Sequence, residues 1–188
     1  GFDINLAGYE RGAPPTYWGP YKKPRNYHNT SIKNMDEGKP VEYLTDRLTD
    51  EAINFIRANK KYPFFIYLSH YAVHTPLEAP ESLVRKYEKK LEKNSTQKNA
   101  VYAAMIENVD TNVGRLLSEL EQLELTENTI VIFFSDNGGL KSVTNNEPLR
   151  EGKAYLYEGG IRVPLIVKWP GKISANSICN EPVISDDL

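Results

Sequence analysis

Ile130-Val131-Ile132-Phe133-Phe134-Ser135-Asp136-Asn137-Gly138-Gly139 decides the fold. Five consecutive large apolar residues need cover on both faces, as a central parallel strand has. The two glycines then turn the chain sharply. Asp136 and Asn137 are left at the carboxyl end of the strand. In open α/β sheets that edge is where ligands bind.

Working outward, Pro63 to Ser69, with Phe64-Phe65-Ile66-Tyr67-Leu68 at its centre, reads as a second buried strand. It runs into His70 and His74. Between Val41 and Lys60, the residues Leu44, Leu48, Ala52, Ile53, Phe55 and Ile56 fall at helical spacing, with Pro40 suited to the first turn. Pro80-Glu81 opens a charged helix to about Lys93. A longer helix follows from about Gln97 to Leu125, with a stripe of Val101, Met105, Val109, Val113, Leu116, Leu120 and Leu123, and Gly114 as a place to bend. Ile161 to Trp169 is a third strand, and Pro164 puts it at an edge or a strand start. Helix, strand, two helices, strand, loop, strand is an α/β order with crossovers, for which a parallel sheet is the default. Parallel strands end on one edge, so His70 and His74 should meet Asp136 and Asn137 there.

The chain has 188 residues, 40% hydrophobic and 26% charged, enough for one domain with a sizeable core. A net charge of −2 gives no basic excess for nucleic acid. No apolar stretch approaches the ~20 residues of a membrane span. Cys179 is the only cysteine, so no internal disulfide framework exists. Residues 1–40 are rich in Gly, Pro and Tyr and read as a long loop region. Its Tyr9, Tyr17, Trp18, Tyr21 and Tyr27 either line a carbohydrate groove or cover the sheet. The sequons Asn29-Thr30-Ser31 and Asn94-Ser95-Thr96 carry no weight by themselves.

Asp136 and Asn137 supply a carboxylate and an amide carbonyl, oxygen donors suited to hard cations, although the same residues make ordinary turn chemistry. His70 and His74 lie at metal spacing for a helix, but they follow a strand, and Tyr71 breaks the H-E-x-x-H pattern. His74-Thr75-Pro76 is a rigid turn that would aim one imidazole into a cleft, where it can donate a proton to a leaving oxygen. His70 reads as a satisfied structural histidine. Arg150-Glu151-Gly152-Lys153 fails the phosphate-loop test, because Glu147 and Ala154 replace its glycine and hydroxyl. A glycine beside Lys153 still lets an ammonium approach an oxyanion, against the bland reading of a solvated lysine. Glu158 and Arg162 read as a surface ion pair, and Tyr155, Tyr157 and Trp169 as packing.

Taken together these segments resemble the sulfatase family, the formylglycine-dependent branch of the alkaline-phosphatase-like superfamily. The carriers are Pro63–Leu68 leading to His74-Thr75-Pro76-Leu77, then Ser135-Asp136-Asn137-Gly138, then Gly152-Lys153 with Tyr157-Glu158-Gly159-Gly160-Ile161-Arg162-Val163-Pro164 and Trp169-Pro170-Gly171. Gly1-Phe2-Asp3 is similar to the segment after the family's GKWHxG-type motif. The resemblance implies a mostly parallel α/β sheet, here incomplete. It implies that Asp136 and Asn137 bind Ca²⁺, that Lys153 and His74 bind the sulfate group, and that His74 acts as the acid. It also implies a formylglycine made from a Cys or Ser.

No C-x-P-S-R or S-x-P-S-R motif is present, and Cys179 lies in Ser177-Ile178-Cys179-Asn180-Glu181, which does not match. The paired aspartates that complete the family's metal site, and the motif with its other Lys and His, are missing as well. The expectation is therefore that residues 1–188 are the central part of one sulfatase catalytic domain, without the nucleophile region and the C-terminal subdomain, and inactive alone. In the whole protein, periplasmic, secreted or lysosomal, the substrate would be a sulfated glycan or an aryl sulfate. Two rivals stay open: a phosphatase or phosphodiesterase of the same superfamily, and a non-catalytic carbohydrate-binding module.

Overall fold

The computed structural model describes residues 1–22, 31–92 and 95–188. Tyr27 and the sequon residues Asn29, Thr30 and Asn94 lie outside the described residues, as does Lys93. Among the described residues, helix α1 spans Leu44–Asn59, α2 Glu81–Glu88, α3 Ala100–Gln122 and the short α4 Glu158–Ile161. Strand β1 spans Val131–Phe134 and β2 Leu165–Lys168.

Helix α1 forms where the spacing predicts, and it buries Leu44, Leu48, Ala52, Ile53 and Ile56. Each large aliphatic side chain so buried contributes about 2 kcal/mol. Tyr43 is the N-cap, so Pro40 lies ahead of the helix rather than in its first turn. Helix α2 ends at Glu88, short of the expected Lys93. Helix α3 starts at Ala100, where the Asn99 side chain accepts from the Tyr102 N–H at 3.0 Å, a capping bond that satisfies one open donor. It runs unbroken through Gly114.

The face of α3 differs from the predicted stripe. Of that stripe only Met105 and Leu120 are buried, and the polar Asn108, Asn112 and Glu119 are buried with them. The seam with α1 explains this. Asp46 accepts from Asn108 Nδ2 at 2.9 Å and from Asn112 Nδ2 at 2.7 Å. Arg57 forks onto both Glu119 oxygens at 2.7 Å each. Buried polar groups are tolerated when hydrogen-bonded, and this seam is.

The aromatic N-terminal segment covers the start of α1, not the sheet. Tyr17, Tyr21, Tyr43, Leu44, Leu48 and Met105 form one buried cluster, with Leu68, Tyr71 and Leu77 packed against it.

The sheet departs from the parallel default. β1 and β2 pair antiparallel, in the register Val131↔Lys168, Ile132↔Val167, Phe133↔Ile166 and Phe134↔Leu165. Pro164 sits just before β2, as a residue with no N–H to donate should. Expected to be buried on both sides, β1 is largely open: Ile132 is 46% exposed and Ile166, on its partner, 60%. Residues 63–69, expected as a strand, show strictly alternating exposure, but no strand is assigned there and no ladder pairs them among the described residues. Phe65 and Tyr67, over 70% exposed, are met on one face by Phe2, with ring centroids 5.6 and 6.4 Å away. On the other face Phe64 packs edge-on against Phe55 of α1. The physical reason is composition: residues 63–69 and β1 carry the apolar character of central strands, and among the described residues only part of that surface is covered.

Candidate active site

The turn after residues 63–69 is held by tyrosines. Tyr71 Oη donates to the Ala7 carbonyl at 2.6 Å. Tyr17 Oη donates to the His74 carbonyl at 2.9 Å, and Tyr43 Oη to the Glu78 carbonyl at 2.7 Å. The Glu78 carboxylate in turn accepts from Thr16 Oγ1 at 2.7 Å and the Tyr17 N–H at 2.8 Å. Burial pushes the Tyr17 and Tyr43 phenols up and Tyr71 to about 12, so all three stay protonated donors at neutral pH.

His74 Nδ1 lies 3.0 Å from the Thr75 carbonyl. A carbonyl only accepts, so this contact assigns the proton to Nδ1 and leaves Nε2 as the working nitrogen.

His70 is buried, as a structural histidine should be, but it is not satisfied. Neither ring nitrogen has a hydrogen-bond partner among the described residues. Burial lowers its pKa to about 4, and the Asp46 charge opposes that only weakly. His70 is therefore neutral in the fold.

The second turn is knit from backbone. The Gly138 N–H donates to the Gly160 carbonyl at 2.9 Å, and the Lys153 N–H to the Gly139 carbonyl at 3.0 Å. Asn146 closes a reciprocal pair with Gly139, donating at 2.8 Å and accepting at 3.1 Å. A Cβ on Gly138 would stand 1.8 Å from the Gly159 carbonyl oxygen, so only glycine permits this approach. Glu151 (φ 63°) and Ala154 (φ 76°) flank Gly152-Lys153 in the left-handed region. Such residues persist only where the surroundings over-determine them.

The backbone of Lys153 is thereby joined to the Asp136–Gly139 turn. No hydrogen bond or ion pair among the described residues joins His74 to Asp136, Asn137 or Lys153. Glu78 and Asn146 escaped the sequence reading, and Tyr17 entered it only as one aromatic of the N-terminal loop region, because a side-chain bond to a distant backbone group leaves no spacing pattern. Glu158 and Arg162 do form the expected surface pair, at 3.2 Å. Tyr155 and Tyr157 are exposed rather than packed, and the Arg150 guanidinium lies 3.8 Å from the Tyr157 ring centroid. A hollow of about 400 Å³ between the end of α3 and β2 is lined by Leu117, Glu121, Glu124 and Lys168 and by none of these site residues.

The donor set suits a hard cation in part. Asn137 Nδ2 donates to the Gly138 carbonyl at 3.0 Å, leaving its Oδ1 free to ligate. Asp136 is exposed, and its carboxylate has no hydrogen bond or ion pair among the described residues. Ca²⁺ takes about six to eight oxygens. No group of three or more His, Cys, Asp or Glu gathers among the described residues, so Asp136 and Asn137 would supply only part of a cation's shell.

Helices and a two-stranded sheet in one chain are an incomplete α/β fold of the alkaline-phosphatase-like class. Residues 7–188 match the Sulfatase family model, and the chain belongs to the sulfatase family. It is 43% identical over 152 residues to a sulfatase of Formosa agariphila, covering 76% of this chain and 27% of that protein. It is 35% identical over 161 residues to human steryl-sulfatase, covering 80% and 26%. The crystal structure of Ps i-CgsB in complex with k-i-k-neocarrahexaose superposes with a TM-score of 0.64 at 41% identity, covering 72% of this chain and 30% of that one. The chain thus spans about a quarter of the length of the curated relatives it matches. Enzymes of the family generally use a formylglycine and a divalent metal. No described helix is long and apolar enough to cross a membrane.

Proposed function

We propose that these 188 residues form the central part of a sulfatase catalytic domain, and that the whole domain hydrolyses sulfate esters of sulfated carbohydrates or aryl alcohols. The observation that supports the reading is the bond from the Lys153 backbone N–H to the Gly139 carbonyl, which joins the backbone of Lys153 to the turn that carries Asp136 and Asn137, within a chain of this family.

In this reading Asp136 and Asn137 are two ligands of Ca²⁺. When present, the formylglycine supplies the nucleophile and the cation neutralises sulfate charge. Lys153 carries no ion pair among the described residues, and its ammonium is free to bind a sulfate oxygen. His74, with Nδ1 committed to the Thr75 carbonyl, presents Nε2 as the nitrogen that passes a proton to the leaving oxygen. The enzyme works outside the cytoplasm, in the periplasm, a lysosome or a secreted fluid.

Paired assays on aryl sulfate and aryl phosphate test this. Sulfate turnover should dominate, and Lys153→Ala should lower kcat by ~10²–10⁴. Faster phosphate turnover, or an unchanged Lys153→Ala rate, defeats the assignment.

A further inference from the structure

We propose that Tyr17 is a positioning residue for His74: its phenol anchors the turn that carries the imidazole, and so sets how well that imidazole protonates the leaving oxygen. The inference rests on the sulfatase reading above.

Tyr17 is fully buried, at 0% exposure, and tied at every polar atom. Its N–H donates to Glu78 Oε2 at 2.8 Å, and its carbonyl accepts from the Leu44 N–H at 2.8 Å. Its hydroxyl donates to the His74 carbonyl at 2.9 Å. Its ring stacks on Tyr43 with centroids 5.6 Å apart and planes at 22°. One residue thus links the rigid first turn of α1 to both ends of the turn 74–78.

The hydroxyl bond falls on the backbone of the very residue whose side chain is to give up a proton. The other bonds of His74, from its N–H to the Tyr71 carbonyl at 2.9 Å and between its Nδ1 and Thr75, lie within the same turn and move with it. Without the phenol, the backbone of His74 loses its tie to α1. Proton delivery depends steeply on geometry, and a misplacement of about 1 Å costs about 10²-fold.

That role has a signature which lost stability does not. A nitrophenolate leaves with little help from an acid, whereas an alkoxide of a sugar needs the proton. In the whole formylglycine-bearing domain, Tyr17→Phe keeps the ring and its packing and removes only the hydroxyl. Rates are read for 4-nitrophenyl sulfate and for a glucose 6-sulfate on one enzyme preparation, so the folded fraction cancels in their ratio. Tyr17→Phe should lower the sugar-sulfate rate at least 10-fold relative to the nitrophenyl sulfate rate, acting on kcat rather than KM. An unchanged ratio overturns the positioning role, even where both rates fall together. A wild-type domain that hydrolyses neither ester refutes the sulfatase reading itself, and the role of Tyr17 falls with it.

Discussion

Residues 71–78 and residues 136–139 are held in opposite ways. The first turn hangs from side chains that reach across the molecule: Tyr17 on His74, Tyr43 on Glu78, and Tyr71 back to Ala7. The second rests on backbone meeting backbone: Gly138 on Gly160, and Gly139 beneath Lys153. A turn hung from side chains loosens by degrees, one hydroxyl at a time. A turn made by close backbone approach has no such gradation. It admits glycine or it rearranges.

The largest expected effect therefore falls on the second turn. Gly138→Ala would place a methyl 1.8 Å from the Gly159 carbonyl oxygen, and backbone cannot rotate away as a side chain can. We expect about 3 kcal/mol of lost stability and, on the proposed roles, a kcat loss above about 10²-fold, because the backbone of Lys153, Asp136 and Asn137 moves. Thermal melting and turnover of the whole domain check this. A Gly138→Ala enzyme with wild-type activity would show that the close approach is not needed, and would erase the contrast between the turns.

His70 sharpens the contrast from the other side. Its folded pKa is about 4, lowered by burial from an ordinary value near 6.5. The unfolded chain takes up the proton first as pH falls, so protonation favours unfolding. The contribution is absent above about pH 6.5 and grows between about 6.5 and 4. It reaches about 3 kcal/mol of lost stability by the folded pKa. Urea unfolding at pH 7.5 and pH 5 should show the loss, and His70→Asn should flatten that part of the profile. An equal slope in both proteins would mean that other groups carry the acid sensitivity.

The sequence makes some of this legible and hides the rest for physical reasons. α1 is readable because Leu44, Leu48, Ala52, Ile53 and Ile56 share one face. α3 is readable in extent but not in face, since Asn108, Asn112 and Glu119 find partners on α1 that no local pattern announces. The apolar run 130–134 holds β1, whereas the run 64–68 forms no assigned strand, because a strand needs neighbours that its own composition does not set. The antiparallel pairing of β1 with β2 depends on the path of residues 138–160. Asp136, Asn137 and Lys153 stand out in the sequence as candidate chemistry. The backbone contact between their two loops runs through Gly138, Gly139 and Asn146, whose part shows only when the loops touch.

The smallest expected effect tests how firmly the second turn is built. Ala154 stands in the left-handed region at φ 76°, beside Lys153. An L-residue there carries about 1–2 kcal/mol of strain that glycine does not. Glycine, in turn, gives the unfolded chain more freedom, at a cost of about 0.4–1 kcal/mol. The two terms oppose each other and leave Ala154→Gly stabilised by about 0.5 kcal/mol. The bond from the Lys153 N–H to Gly139 and the Asn146 pair survive the change, so kcat should stay within about 3-fold of wild type. A melting temperature that falls would mean the Ala154 methyl makes a contact that outweighs its strain. A kcat that collapses while melting is unchanged would mean that the strain itself, rather than the glycine-framed backbone, places the Lys153 ammonium.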